Sequence, residues 1–387
     1  MSTPSGPQAG GRRTEAPAAA SRRPAARPPA PSSSLAGGAD QSPVTLEDVA
    51  RVAGVHYSTV SRALDPAKAW RVGASTRRHV ETVALEMGYR RHMGASGLKR
   101  GRTHTVGVIV ADLGNPFISP VLRGLANRLD EASLMPLITE TQDDPARLSR
   151  VLNHVLERRV DAVVVGAARL GNAPILMEVA SRRVPLLLFD RNVPQTGLPS
   201  CTHDHRQGGS LAAAHLLELG HRRVAQLRGP ADVSSFVDRG RGFSAAVAAA
   251  GAGATEIDVP DVASKPVLDE GRRLARVLLS QPGGLPTAIF AHNDLMALGV
   301  LDALAEAGLR CPGDVSVMGY NDSPHVDRVT PPLTTIRLHG QELGRLVGEM
   351  AVTAIQAPGQ IPVSLTLPPS IIIRESTAFP REGEDPR

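Results

Sequence analysis

The sequence has few of the residues on which disulfide stability, membrane insertion or metal binding depends. Its 387 residues include only two cysteines, Cys201 and Cys311, too few for a disulfide framework or a cysteine zinc cluster. No apolar run approaches the roughly 18 residues that a membrane-spanning helix needs. The first residues also lack the basic, apolar and small-residue order of a secretory signal. A cytoplasmic protein without a membrane partner is therefore the simplest expectation.

Common catalytic motifs are also missing. The chain contains no metalloprotease HExxH motif, no phosphate-binding P-loop and no Gly-x-Ser-x-Gly nucleophile elbow. Histidine and aspartate cluster tightly only at residues 203–205, which we interpret as polar structure rather than a metal site. The adjacent carboxylates Asp143 and Asp144 fall in a predicted loop, where solvation is the simplest interpretation. We expect no catalytic residue, no metal and no cofactor.

Charge is distributed unevenly along the chain. The whole sequence carries +5, from 43 basic and 38 acidic side chains. Residues 1–103 hold 16 basic and 7 acidic side chains, whereas residues 104–387 hold 27 basic and 31 acidic. The first quarter is thus +9 and the remainder −4, an asymmetry typical of a front segment that meets a polyanion. A chain of this length is also expected to form more than one domain.

Local patterns divide the chain further. Residues 1–43 are rich in Pro, Ala, Ser and Gly and cannot bury enough apolar surface to fold, which predicts a disordered tail. Helices are predicted at residues 46–52, 57–64 and 75–87, the first with Thr45 as N-cap and Asp48 in the capping-box position. From residue 105, apolar runs alternate with amphipathic helices, which predicts parallel sheets covered on both faces. The predicted strands are residues 105–111, 134–139, 160–166, 184–190, 223–229, 287–291 and 315–320. Their number favours two doubly wound subdomains over one.

Residues 46–64 fit a helix-turn-helix. Gly54 lies where the turn needs a positive φ, and apolar side chains occupy the positions between the two helices. The second helix exposes hydrogen-bonding groups that could enter a major groove, among them Tyr57 and Arg62. The alternative is an ordinary three-helix bundle with a polar surface. The 11 basic and 5 acidic residues over 45–103 favour DNA binding.

Several motifs, taken together, resemble the lactose-repressor (LacI/GalR) family of transcription regulators, in order over residues 44–379. They are Val44-Thr-Leu-Glu-Asp-Val-Ala-Arg-Val-Ala-Gly-Val, Asp112-Leu-Gly-Asn-Pro-Phe, Leu219-Gly-His-Arg-Arg-Val, Asn293-Asp-Leu-Met-Ala and Pro331-Pro-Leu-Thr-Thr-Ile. The resemblance implies a DNA headpiece, a hinge helix formed on DNA, and a body like a periplasmic sugar-binding protein that also dimerises. The implied divisions are a tail (1–43), a helix-turn-helix domain (44–90), a hinge linker (91–103), the body (104–380) and a second tail (381–387).

The resemblance also implies individual DNA contacts. Base edges would be read by Tyr57, Ser58 and Arg62, and the sugar-phosphate backbone would be held by Thr45, Thr59, Ser61 and Arg71. In the hinge, Ala95 and Leu98 match minor-groove residues, with Leu98 wedged between base pairs. His56 replaces the usual Ser at the N-cap of the second helix, which predicts a weaker helix start.

In the body, the resemblance implies two subdomains that close on a small molecule. We expect three chain crossings, near residues 201–205, 330–334 and 357–361. The first subdomain would then hold residues 104–203 and 334–357, and the second 204–331 and 360–378. The implied effector residues are Phe117, Asp190, Ser235, Arg239, Asn293 and Asn321. Four of them also have a structural alternative: Asp190 as a turn cap, Phe117 as ordinary core, Arg239 as a surface helix residue, and Asn293 as the residue before a helix that Asp294 caps.

The sequence thus predicts a repressor that binds a near-palindromic operator as a homodimer under allosteric control by an effector. A sugar or sugar derivative is the family default for that effector. A phosphorylated ligand held by Arg169, Arg191 and Arg206 is a less favoured alternative. The competing interpretation of the whole chain is a solute-binding sensor module without direct DNA regulation.

Overall fold

The computed structural model describes residues 44–65, 68–89 and 102–381, which fall into two units divided after Arg91. The predicted tails at 1–43 and 382–387 and nearly all of the hinge linker, with Ala95 and Leu98, lie outside these residues. Within the described ranges, no helix is both long and apolar enough to span a membrane.

The first unit is built of three helices. They are α1 (Leu46–Ala53), α2 (Tyr57–Ala63) and α3 (Ala74–Glu86). The predicted capping box is confirmed, because the Thr45 hydroxyl accepts from the Asp48 backbone N–H and the Asp48 carboxylate accepts from the Thr45 N–H. Gly54 has a φ of 64°, as the predicted turn requires. Val49, Val60 and Val80, one from each helix, are fully buried and form the centre of the small core.

The second unit contains two six-stranded sheets. The strands of the first are β1 (Thr105–Val110), β2 (Met135–Glu140), β3 (Ala162–Val165), β4 (Leu186–Phe189), β5 (Ser200–His203) and β11 (Leu365–Leu367). They are all parallel and follow the order β11-β5-β4-β3-β1-β2. The strands of the second sheet are β6 (Arg223–Leu227), β7 (Thr255–Ile257), β8 (Ala288–Ala291), β9 (Ser316–Asn321), β10 (Thr334–Arg337) and β12 (Ser370–Ile372). They follow the order β12-β10-β9-β8-β6-β7, with only β12 antiparallel.

Helices cover both faces of each sheet, as the apolar strand runs predict. They are α4 (Ile118–Glu131), α5 (Arg147–Glu157), α6 (Ala173–Ser181), α7 (His205–Glu218), α8 (Ser234–Ala249), α9 (Leu268–Leu279), α10 (Asp294–Glu306) and α11 (Gly340–Gln356). Helices α7 and α8 approach closely because Gly209 faces the backbone of α8. A Cβ atom there would lie 2.0 Å from the Arg239 carbonyl oxygen. This contact fixes the helix that carries Ser235 and Arg239.

The sheet topology corrects two of the three expected chain crossings. The first follows β5 at Asp204, within the expected range 201–205. Residues 330–334 are not a crossing, because β10 pairs with β9 inside the second sheet, and the chain returns to the first subdomain only between Arg337 and Gly340. The third crossing lies at residues 368–369, between β11 and β12, rather than at 357–361.

Candidate functional site

The second helix of the headpiece begins with a histidine cap. The His56 Nδ1 atom accepts from the Ser58 backbone N–H at 3.2 Å and lies 2.9 Å from the Ser58 hydroxyl oxygen. Because Nδ1 accepts from the backbone, it can also accept from the Ser58 hydroxyl. Imidazole therefore supplies a capping hydrogen bond here. That the start of α2 is weaker with His56 than with a serine cap stays a prediction.

The polar side chains expected to meet bases lie on one short helix. Tyr57 is 45% exposed, and Arg62 is exposed and forms no ion pair with any described residue. Thr59 and Ser61 are half-buried on the same helix. The structure thus brings these groups together on a helix whose apolar face is fixed by Val60.

Two of the residues expected to contact the DNA backbone, Thr45 and Arg71, have local partners within the protein. The Thr45 hydroxyl lies 2.7 Å from the Asp48 carboxylate, which also accepts from the Thr45 backbone N–H. These hydrogen bonds lower the pKa of Asp48 to about 2. Thr45 is therefore occupied as a helix cap. Arg71 is exposed, and its guanidinium lies 4.8 Å from the ring centre of Trp70, which is 74% exposed.

In the second unit, all six expected effector residues line one cavity between the subdomains. They are Phe117, Asp190, Ser235, Arg239, Asn293 and Asn321, joined by Asn115, Arg191, Phe236 and Pro266. Most stand at or just beyond the carboxyl ends of parallel strands, where open α/β sheets bind ligands. The cavity has a volume of ≈ 30 Å³. Small-molecule sites usually have ~300–1,000 Å³, so the cleft is closed.

Arg239 is a buried residue of this cleft rather than a surface arginine. Its guanidinium lies 3.4 Å from the ring centre of Tyr320, donates to the His292 carbonyl oxygen, and reaches Nδ1 of His205 at 3.2 Å. Burial lowers its pKa, against the attraction of Tyr320 and Asp190. The rigid setting orients one edge of the guanidinium towards the cavity.

Asn293, rather than Asp294, caps the helix that follows. Its Oδ1 accepts from the Met296 backbone N–H, and its Nδ2 donates to the Pro266 carbonyl oxygen, both at 2.7 Å. Asp294 is buried and accepts from the Thr335 hydroxyl at 2.6 Å and from the Ser323 N–H at 2.7 Å. The amide of Asn293 thus serves the fold and the cavity lining together.

Two other expected effector residues, Asp190 just after β4 and Asn321 at the end of β9, have unusual backbone angles. Asp190 has a φ of 60° and Asn321 a φ of 121°, and positive φ costs an L-residue conformational energy that Asn and Asp bear better than most others. Burial raises the pKa of Asp190, and the positive charges of Arg191 and Arg239 oppose that rise. Both side chains can serve a ligand as well as the turn.

A buried ion-pair cluster beside the cavity was missed by the sequence reasoning. Asp143, expected to be solvated, is only 5% exposed. Its carboxylate accepts from Arg191 at 2.9 Å and lies 3.2 Å from Arg169. Burial alone would raise the pKa of Asp143, but these two arginines outweigh it and hold the pKa below its ordinary value. Arg206 is exposed and lies outside the cavity lining.

His203 ends β5 next to the first crossing. It is buried, and neither ring nitrogen has a hydrogen-bond partner among the described residues. Burial lowers its pKa to about 3. Among all the residues that the structure describes, no group of three His, Cys, Asp or Glu side chains is placed to bind a metal.

Comparisons with known proteins cover both units. Residues 45–92 match the family model for bacterial regulatory proteins of the lacI family, and residues 213–377 match a periplasmic binding protein-like domain. The ribose operon repressor of Escherichia coli (strain K12) is 32% identical over 336 residues, which cover 86% of this chain and 99% of that protein.

Solved structures agree with these matches. The lac repressor dimer bound to operator and the anti-inducer ONPF is 28% identical, with a TM-score of 0.77, over 87% of this chain and 100% of the other. A complex of the transcriptional regulator CelR with cellobiose is 29% identical, with a TM-score of 0.65, over 86% of this chain and 99% of the other.

Proposed function

The chain belongs to the lacI family of bacterial regulatory proteins and is a DNA-binding transcriptional regulator rather than an enzyme, and we propose that it is a repressor controlled by an uncharged, hydroxyl-rich effector. The observation that carries the proposal is the cavity that collects all six expected effector side chains. Asp190 accepts hydrogen bonds from hydroxyl groups, Arg239 and the two asparagines donate, and Phe117 offers an apolar face.

On DNA, the roles proposed for α2 follow from its free groups. Arg62 has no competing ion pair among the described residues and can place its planar fork against a guanine. With its proton directed to Nδ1 of His56, 2.9 Å away, the Ser58 hydroxyl would offer acceptor lone pairs to a base. Ser58 should therefore face an amino group, of adenine or cytosine, in the major groove.

The charges around the cleft favour an uncharged effector. Arg191 and Arg169 share the carboxylate of Asp143, and Arg169 also binds Asp232 at 2.7 Å. Arg239 already donates to a backbone carbonyl. Because both Nη atoms of Arg169 and of Arg191 already donate within the protein, neither of these two arginines presents a free fork to a phosphate group. The ribose named in one relative and the cellobiose bound in another are both uncharged.

The assembly proposed for the chain is a homodimer. The lac repressor dimer binds operator DNA, and a two-fold symmetric protein reads a near-palindromic site with one recognition helix in each half. Binding to a chromosomal operator supports a cytoplasmic location. No cofactor has a role in this scheme.

A thermal-shift screen of the full chain tests the effector proposal. The panel pairs neutral pentoses, hexoses and disaccharides with their phosphate esters. A true effector at 100 times its Kd should stabilise the body by about 2.7 kcal/mol, and its phosphate ester should not. The ligand should then change operator affinity by roughly 5- to 150-fold, the usual size of an allosteric coupling.

The isosteric variant Asp190→Asn is the matched control for that screen. It should keep the melting temperature of the free protein close to that of the wild type and lose most of the ligand-induced shift. A phosphate ester that stabilises more than its neutral parent, or a full shift retained by Asp190→Asn, would contradict the proposal.

A further inference from the structure

Several polar contacts join the two subdomains across the cleft, among them Lys265 Nζ with the Gln142 carbonyl oxygen at 3.4 Å. Arg169, from the first subdomain, donates through Nη1 to the carboxylate of Asp232 in the second, at 2.7 Å. Next to it, the Leu170 backbone N–H donates to the Asp232 carbonyl oxygen at 2.8 Å. The Asn192 N–H donates to the hydroxyl of Ser234 at 3.0 Å. These bonds can form only while the two subdomains are closed.

Arg169 is fixed in place before it reaches across. Its Nη2 donates to the Asp143 carbonyl oxygen at 2.9 Å and lies 3.2 Å from the Asp143 carboxylate. Its own backbone N–H donates to the side chain of Asn172 at 2.8 Å. The Arg169 side chain is 8% exposed, so it loses little conformational freedom when Asp232 approaches.

Asp232, in contrast, stands at the surface. Its side chain is 49% exposed, on the loop that leads into α8, the helix of Ser235 and Arg239. Apart from Arg169, it has no ion-pair partner among the described residues. One face of the cleft thus offers a fixed cation, and the other offers an exposed anion that can separate from it into water.

We propose that Arg169 and Asp232 form a latch that holds the cleft closed and gates effector access. In the latched state the cavity of ≈ 30 Å³ is far smaller than a sugar ring needs. The pair must therefore separate before an effector enters and can form again over it. This gating role rests on the proposed function, whereas the latch itself concerns only the closure of the body.

Hydrogen–deuterium exchange of the full chain, measured by mass spectrometry without added ligand, tests the latch. The variant Asp232→Asn keeps the shape of the side chain and removes its charge. Exchange should become about three- to tenfold faster in peptides that contain the Leu170 and Asn192 amides, because the cleft opens more often. Charge reversal, Asp232→Arg, should accelerate the same peptides further.

Asp238→Asn is the matched control. Asp238 lies on α8, its side chain is 45% exposed, and it pairs with Arg241 on its own helix at 3.8 Å. Exchange at Leu170 and Asn192 should stay at the wild-type rate in this variant. Peptides from the central strands should keep wild-type exchange in all three variants.

The latch is overturned if both Asp232 variants leave the Leu170 and Asn192 peptides at the wild-type rate. Acceleration spread equally over the central strands would also overturn it, since that pattern reports global loss of stability. Neither result bears on operator binding. Failure of the proposed function would appear instead as the absence of any effector, with the exchange result unchanged.

Discussion

Asp294 shows how a single side chain of the cleft region is set by its surroundings. Its carboxylate lies in the interior and accepts from Thr335 and Ser323, which tie strand β10 and the loop after β9 to the start of α10. Burial nevertheless raises its pKa to about 6, above the ordinary value of 3.8. The charged form is therefore less stable in the native protein than in the unfolded chain.

This shift predicts a pH dependence with a definite sign. A carboxyl group whose pKa is raised on folding favours the native state while protonated, below about pH 4, and that contribution is lost as the pH rises through about 6. Asp294→Asn removes the titration and can still bond both partners. Its free energy of unfolding should rise relative to that of the wild type between pH 4 and pH 7, by at most roughly 3 kcal/mol.

Urea unfolding of both proteins at several pH values checks this expectation. Several buried histidines, such as His203, also lose stability as the pH falls, but they are common to both proteins and cancel in the difference. Parallel stability curves for the two proteins between pH 4 and pH 7 would contradict the assignment.

Asp143 marks the limit of sequence reasoning for single residues. Adjacent carboxylates in a loop indicate solvation, and nothing local distinguishes Asp143 from Asp144. Its partners Arg169 and Arg191 are 26 and 48 residues away, and arginine is so frequent here that neither stands out. The six effector residues were placed by the family resemblance, and their binding role remains a proposal.

At the scale of elements, the contact between α7 and α8 depends on one glycine. A Cβ atom at Gly209 would overlap the Arg239 carbonyl oxygen at 2.0 Å and the Phe243 nitrogen at 2.9 Å. Both are backbone atoms and cannot rotate away. Gly209→Ala should therefore destabilise the body by about 1–3 kcal/mol despite the better helix propensity of alanine.

Calorimetry of the intact chain measures this effect. Gly171→Ala is the control, because a Cβ atom there meets nothing within 4 Å, and its unfolding should match the wild type. The Arg239 side chain would also shift with α8, so effector affinity should fall in Gly209→Ala. Equal stability of the two alanine variants would show that the helices do not approach as described.

The longer elements could be predicted and several short ones could not. The seven expected strands are all present, and most are short, largely apolar runs buried on both faces; the edge strand β2 is exposed or half-buried throughout. Strands β5, β7, β10, β11 and β12 have three or four residues and mix polar with apolar side chains. For β10, the crossing that the family resemblance implied at residues 330–334 was expected too early. Only the pairing of β10 with β9 reveals its subdomain.

For the whole molecule, the charge division now has a structural counterpart. The described part of the basic first quarter is mostly the helix-turn-helix, and the slightly acidic remainder is the body with its closed cleft. Internal ion pairs neutralise Arg169 and Arg191 beside that cleft. We infer that DNA attraction is concentrated in the headpiece, while the body responds to an uncharged effector.

The most direct test of this account is selection of DNA from a random library by the full chain, followed by affinity measurements at several salt concentrations. The account predicts enrichment of one near-palindromic site. Its log affinity should fall linearly with log salt, with a slope of about −5 to −9 if six to ten phosphates are contacted.

Arg62→Ala and Arg51→Ala provide the matched pair for that measurement, since each removes one exposed positive charge from the headpiece. Only Arg62→Ala should lose discrimination between the selected site and random DNA, by about 1–3 kcal/mol. Failure to enrich any two-fold symmetric sequence, or equal discrimination by the two variants, would contradict the account.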